Sequence, residues 1–553
     1  MKDGFRQSMA WLHTWTGLLV GWILFLVFCT GTAAYYRDEI TFWMKPELHA
    51  ASLALPAQPV AAERAVQALQ NRAPASQRWS ITLPSARDPA AIITWTPPPV
   101  RESVQDSAPA GNGQRRRARI ESAALDAETG EPLAAPRQTR GGDFFYRLHF
   151  DLHYMPQLWG RWIVGFCAMF MLVAIISGVI THRRIFADFF TFRPKKGQRS
   201  WLDAHNAAAV FALPFHLMIT YSGLVTLMFI LMPWDQQAIY KGTIDAFYAE
   251  VFPDTRTRVT KPSGQAATLA PLGPMIEQAS ARWGGAAVHQ IVITNPNDAK
   301  AAISMQRREG RDMASTHPVA LFDGVTGKLL STRGEDLGAA GQTRSVVYGL
   351  HIGRFANSLL RALFFLSGLA GCVMVATGLV MWAVKERQKY AKVLAHGGRI
   401  SISLRLVEGL NVGAIGGVPI AIASYFWANR LLPAILPARS EAEVTWFFIA
   451  LGMAMAAGMA WPRRLMWQIQ FMIGGLLFAG VPVLNAFTTH SHLGVSLPEG
   501  MWRLAGFDLT CMALGMTLLV TAWWLGKKKN KLVKAHKSAV SQTVHEARMP
   551  GAA

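Results

Sequence analysis

At 553 residues and 51% apolar content, the chain is longer than one soluble domain needs. Its apolar residues gather into runs of about 20, the length that crosses a hydrocarbon core of roughly 30 Å. A net charge of +21 would suit a nucleic-acid binder, but most basic residues flank the apolar runs, which points to membrane topology and away from nucleic acid.

The first run, 11–36, is too long for the h-region of a signal peptide and is read as a retained anchor helix. Further spans are expected near 158–182, 204–232, 357–384, 404–428, 443–461, 464–486 and 502–526. Arg183, Arg184, Arg193, Lys195, Lys196 and Arg199 follow the second span, and Lys385, Arg387, Lys389, Lys392 and Arg399 the fourth. Arg463 and Arg464 follow the sixth, and "KKKNKLVKAHK" the eighth. With eight spans these all share a side with Lys2 and Arg6, so that side, with both termini, is assigned to the cytoplasm.

The other side receives 38–145 and 233–346. Each mixes helical and alternating stretches with Pro/Gly punctuation, as small α+β domains do. Within the first, 97–119 is a polar, Pro/Gly-rich insertion with a run of three arginines. The expected fold is thus an all-α polytopic membrane protein of about eight transmembrane helices with two small α+β insertions. Helix 1 occupies 1–37, helices 2–3 with a basic loop 146–232, helix 4 347–385, helices 5–8 386–526, and a basic tail 527–553.

The first two-thirds of the chain is a repeat. "WLHTWTGL" opens the first span and "WLDAHNAA" the third, and the interval from His13 to Thr30-Gly31 equals that from His205 to Ser222-Gly223. "LDAETGEPL" and "LFDGVTGKLL" share Asp-x-x-Thr-Gly-x-x-Leu, a strand–turn–strand signature. "YRLH", ending at His149, and "YGLH", ending at His351, each stand just ahead of a span. Two copies of helix, insertion, helix therefore make a four-helix core, with the last four spans outside it.

Over about 5–385, including "THRRIFADFFTFRP" and "LDAHN", this pattern resembles the PepSY-associated transmembrane family. The resemblance implies periplasmic PepSY domains in an inner-membrane protein. Some members are haem-containing reductases of ferric siderophores, and the family's histidines match His13, His149, His205 and His351.

The residues support haem independently. A histidine at a membrane span is costly unless it meets a cavity, a partner or a metal, and imidazole is a good axial ligand for haem iron. His13 and His205 lie where the chain leaves the cytoplasm, and His149 and His351 where it returns, so one bis-histidine haem b is expected near each face. Satisfied interfacial histidines or zinc are the alternatives. His153, one turn beyond His149, and His216, in mid-span, are secondary candidates; His216 also suits a core hydrogen bond or proton transfer. His182, His490 and His492 read as interfacial or loop residues, and His289 and His317 as parts of the insertions. Arg161, Arg354 and Arg361 are candidates for haem propionates, or else interfacial anchors.

Cys29, Cys167, Cys372 and Cys511 each lie in an apolar run and read as packed small residues; no C-x-x-C-H occurs, which excludes covalently attached haem. No phosphate-binding loop is present, and "NVGAIGGVPIA" suits helix packing better than dinucleotide binding. Electrons would then come from a quinol or another protein. Glu408, in the fifth span, reads as a proton or quinone contact, an interior hydrogen bond, or an interfacial residue. The leading expectation is an oxidoreductase passing electrons to a periplasmic acceptor such as a ferric siderophore. A permease and a PepSY-type regulatory binding protein are the alternatives.

Overall fold

A computed structural model describes residues 3–51, 54–97, 120–182, 185–189, 191, 193, 196–241, 243, 246, 261–310 and 312–546. The insertion at 98–119, together with Arg183, Arg184 and Lys195, lies outside them. In chain order the principal helices are α1 (Asp3–Ala34), α2 (Arg37–Trp43), α3 (Gln58–Arg72), α4 (Gly141–Asp151), α5 (Gln157–Thr181), α6 (Gln198–Phe211) and α7 (Leu213–Thr226). They continue with α8 (Leu272–Arg282), α9 (Ala339–Ile352), α10 (Ser358–Lys389), α11 (Ile402–Leu431), α12 (Arg439–Ala460), α13 (Arg464–Thr488) and α14 (Trp502–Glu546).

Among the described residues, α1, α5, α10, α11, α12, α13 and the first part of α14 are long and apolar enough to cross a membrane. The third expected span is not one straight helix: α6 and α7 meet at a 68° bend, and the spans number eight if that pair crosses as one. Pro214 accounts for the break. It has no N–H to give the preceding turn, and its ring crowds the Val210 carbonyl, which takes the Ala212 N–H instead.

The chain forms two compact units. The first comprises Met1–Met44, Gln138–Thr220 and Phe364–Ala553, the second Lys45–Arg137 and Tyr221–Leu363. In the first, α1 packs on α5 and α10 through Val20, Leu24, Cys167, Met171 and Met374. Helices α11 and α12 approach through glycines. A methyl group on Gly458 would lie 2.6 Å from the Gly413 nitrogen, so the Gly-rich stretch serves backbone-close packing. Glu408 of α11 is paired with Arg387 of α10.

Helices α11 to α14 also enclose a polar network. Arg439 and Glu443 are fully buried and paired. Glu443 further accepts from Thr139 Oγ1 at 2.5 Å and Asn429 Nδ2 at 2.8 Å. Arg430 lies 3.8 Å over the Trp43 ring and donates to the Trp43 carbonyl at 2.7 Å. The Trp43 indole N–H in turn reaches Asp508 at 2.9 Å. Buried charges are tolerated only when paired and hydrogen-bonded, and here that pairing fastens α2 and the segment before α4 to the last four helices.

In the second unit the two insertions share one sheet. Strands β1 (Arg78–Thr82), β2 (Ala90–Trp95) and β3 (Glu121–Asp126) come from the first insertion. Strands β4 (Val288–Thr294), β5 (Ala302–Arg307), β6 (Val319–Asp323) and β7 (Leu329–Arg333) come from the second. All seven form one antiparallel sheet, in the order β3-β2-β1-β4-β5-β6-β7. The junction is β1 with β4, with Trp79 opposite Ile293 and Ile81 opposite Ile291. Each insertion supplies one helix and part of the sheet. Joined, α3 and α8 cover a single core that includes Trp79, Ile81, Ile291, Met305 and Phe322. The repeated Asp-x-x-Thr-Gly motifs form matching turns. Asp126 Oδ1 accepts from the N–H groups of Glu128 and Thr129, Asp323 Oδ1 from those of Val325 and Thr326, and Gly130 and Gly327 take positive φ.

Candidate haem-ligand histidines

Each of the four repeat histidines rests against a Ser/Thr-Gly dipeptide on a neighbouring helix. His13 lies on Gly178 of α5, His205 on Gly378 of α10, His149 on Gly31 of α1 and His351 on Gly223 of α7. The fit is close: a methyl group on those glycines would stand 3.0, 3.2, 2.6 and 2.9 Å from the respective imidazole Cε1.

The ring nitrogens are oriented as well. His13 Nδ1 lies 2.8 Å from the Ala174 carbonyl, His205 Nδ1 2.8 Å from that of Met374, and His149 Nδ1 2.8 Å from that of Val27. In each case the carbonyl belongs to the residue three before the Ser or Thr of the dipeptide, and the hydroxyl folds back on the same turn. A carbonyl only accepts, so Nδ1 carries the proton and the neutral ring keeps its Nε2 lone pair. This is how metal-ligating histidines are held, with the far nitrogen donating to backbone. For His351 the nearby group is the Ser222 hydroxyl, 3.1 Å from Nδ1.

His13 and His205 come together, their ring centroids 6.2 Å apart and planes at 69°. Two imidazoles bound at about 2 Å on opposite sides of one metal ion have ring centres roughly 6 Å apart. Among the described residues no cluster of three or more His, Cys, Asp or Glu side chains is placed to hold a metal ion. Two ligands suit the axial positions of haem iron, whereas a structural zinc site takes four. Along α1, His13 and Gly31 are separated by roughly 27 Å of helix, so the seat of His149 lies at another level, near the opposite end of the span. His149 belongs to the first unit and His351 to the second.

The secondary candidates behave differently. Helix α4 stops at Asp151, and Leu152 takes a φ of 47°. His153 therefore does not continue the His149 face; it stacks on Phe448 at 5.5 Å. His216 is fully buried beside Gly371 and Phe28, but its Nε2 lies 3.3 Å from the Ser367 carbonyl. Its Nε2 is thus the donor, the reverse of the tautomer at His13, His149 and His205. His492 caps a short helix by accepting the Gly494 N–H.

Arg161 is paired with Asp151 at 2.7 Å and Arg354 with Glu309 at 2.7 Å, so a propionate would have to compete with a carboxylate of the chain at either. Arg361 stands in the first turn of α10. Glu309 also accepts from His317 Nε2 at 2.9 Å and Ser315 Oγ at 3.0 Å. Burial pushes its carboxyl up, but the His317 hydrogen bond and the Arg354 charge outweigh this and hold it at about 2. Sequence reasoning missed the Ser177-Gly178 and Thr377-Gly378 seats, though both dipeptides stand in plain view within apolar spans.

The chain is 24% identical over 389 residues to the uncharacterised protein PA4219 of Pseudomonas aeruginosa, an alignment covering 66% of this chain and 90% of that one. A model of the PepSY-associated TM region matches residues 10–385, the whole of the repeat that carries the four histidines and their glycine seats. The chain therefore belongs to the PepSY-associated transmembrane family.

Proposed function

We propose that the protein is a haem-dependent electron carrier of the bacterial inner membrane, moving electrons from a quinol or protein donor to a ferric chelate, such as a siderophore, on the side of the sheet domain. The observation that carries this reading is the His13–His205 pair, whose 6.2 Å ring separation and Nδ1 tethers leave two Nε2 lone pairs for one iron. Haem b bound between such histidines supplies one-electron redox chemistry. His149, with the same tether at the other level of α1, and His351, seated on Ser222-Gly223, are the further haem ligands of this reading. Basic segments between spans support a topology with both termini in the cytoplasm and the sheet domain in the periplasm. Reducing chelated Fe(III) to Fe(II) loosens hard-oxygen coordination and frees the metal, which makes iron acquisition the fitting process.

The test is a reduced-minus-oxidised spectrum of protein purified in detergent after haem-replete expression. A b-type spectrum that is lost in part in His13→Ala, together with re-oxidation of the reduced protein by a ferric chelate, is the expected result. Haem-free protein from such cells would overturn it.

A further inference from the structure

The sheet domain holds a cleft of about 620 Å³, a size suited to a small organic ligand. Its apolar wall includes Trp283, Leu337 and Val346, and it contains two guanidinium groups, Arg282 and Arg307. One of them is fully committed: Arg282 grips both oxygens of Glu335 at 2.8 and 2.9 Å, and the Trp283 N–H also reaches Glu335 at 3.1 Å. The other is not. The Arg307 side chain is 15% exposed; it donates to Thr316 Oγ1 at 3.1 Å, its Nε has no hydrogen-bond partner, and its carboxylate partner Asp312 is 3.3 Å away with a side chain 64% exposed. Asp312 is the solvent-exposed half of this long pair and is held weakly, so an anionic ligand can take its place and keep the Arg307 charge paired.

The cleft is also placed for electron transfer. Val346 lines it from α9, and His351 lies on the same helix, five residues on, roughly 7.5 Å along the axis. The loop carrying Asp312 is fixed to that helix. The Ser315 N–H donates to the Ser345 carbonyl at 3.1 Å, and Gly349 lacks a side chain where the Met313 carbonyl rests.

We propose that this cleft docks the electron acceptor as an anionic Fe(III) chelate bearing aromatic rings, the rings along Trp283, Leu337 and Val346 and an anionic oxygen on Arg307. The proposal rests on the reading that electrons leave by way of His351. The step is a one-electron transfer: the chelated iron goes from Fe(III) to Fe(II) as the donor haem iron goes from ferrous to ferric, and no bond is broken.

Docking is read without redox chemistry by titrating the purified full-length protein with the Ga(III) complex of 2,3-dihydroxybenzoate in a calorimeter. Gln342→Trp, at an exposed position on α9, fills the cleft and is expected to weaken binding about tenfold. Asp312→Ala removes the competing carboxylate and is expected to tighten it about threefold. The neutral Ga(III) complex of acetohydroxamate is expected to bind less tightly than the anionic one. Equal affinity in the parent and both variants, or equal affinity for the two complexes, overturns the docking site. Re-oxidation of the dithionite-reduced protein by the Fe(III) complex separates the two ideas. If the gallium complex binds as expected but the iron complex takes no electrons, the electron-transfer reading falls and the docking site stands.

Discussion

Gly31 and His149 are in direct contact: a methyl group on the glycine would lie 2.6 Å from the imidazole Cε1 and 2.7 Å from Nδ1, which is tied to Val27 of the same helix. The backbone fixes where that methyl stands, so the ring must move. Gly31→Ala should therefore push the ring off its seat and, on the proposed haem reading, empty that level while sparing the His13–His205 level some 27 Å away along α1. Haem per protein, measured as the pyridine haemochrome, is expected to fall by half. Gly17 on the same helix has nothing within 4 Å, so Gly17→Ala is the matched control and should retain full haem.

His205 and His216 stand on the two sides of the α6–α7 bend with opposite ring nitrogens committed, Nδ1 to Met374 in one and Nε2 to Ser367 in the other. Only the first leaves Nε2 free for iron. His205→Ala should lose a haem, and His216→Gln, whose side-chain amide can still donate to Ser367, should keep both. Equal loss in the two variants would return His216 to the ligand set.

Much of this site could be read locally. Histidines spaced from Ser/Thr-Gly dipeptides, apolar runs and Asp-x-x-Thr-Gly turns are short-range signals, and each fixes a conformation within a turn or two. What stayed hidden depends on distant partners. Neither insertion announces that Trp79 faces Ile293, because that pairing joins strands from opposite ends of the repeat. The commitment of Arg161 to Asp151 and Arg354 to Glu309 is likewise tertiary. The bend at Pro214 was written in the chain but masked by hydropathy that continues across it, and a helix stop at Leu152 undid the expectation that His149 and His153 share a face.

Arg439 and Glu443 offer a test of what the last four helices contribute. Removing one partner of a buried pair leaves an uncompensated charge and costs about 3–5 kcal/mol. Arg439→Ala or Glu443→Ala should each lower the unfolding temperature in detergent markedly. The double change Arg439→Met with Glu443→Leu should be less damaging than either, because no lone charge remains. If the single variants melt with the parent, the network does not fasten these helices.

Glu309 sets a pH dependence through its contacts with Arg354, His317 and Ser315. Its carboxyl is held at about 2 in the folded protein against an ordinary value of 4.5. A depressed folded value means the stabilisation is present above the unfolded value and is lost as pH falls through the folded one. Between about pH 4.5 and pH 2 the contacts from His317, Arg354 and Ser315 should therefore weaken. The unfolding temperature of the parent should drop across that window, whereas Glu309→Gln should start lower and fall less. Parallel curves would show that Glu309 does not carry the linkage.

Ser80 lies in β1 with neighbours on both sides, Thr94 of β2 and Val292 of β4, and its hydroxyl accepts from Gln290 at 2.9 Å. A proline there removes a donor from the middle of the sheet and cannot be relieved at an edge. Because one core is shared by the two insertions, Ser80→Pro should expose both to protease at once, including segments beyond β4 that are remote in sequence from the change. Limited proteolysis of the full-length protein, with fragments identified by mass, reads this directly. Cleavage confined to 45–137 would mean that the second insertion holds its fold alone and that the β1–β4 junction adds contact without cooperativity.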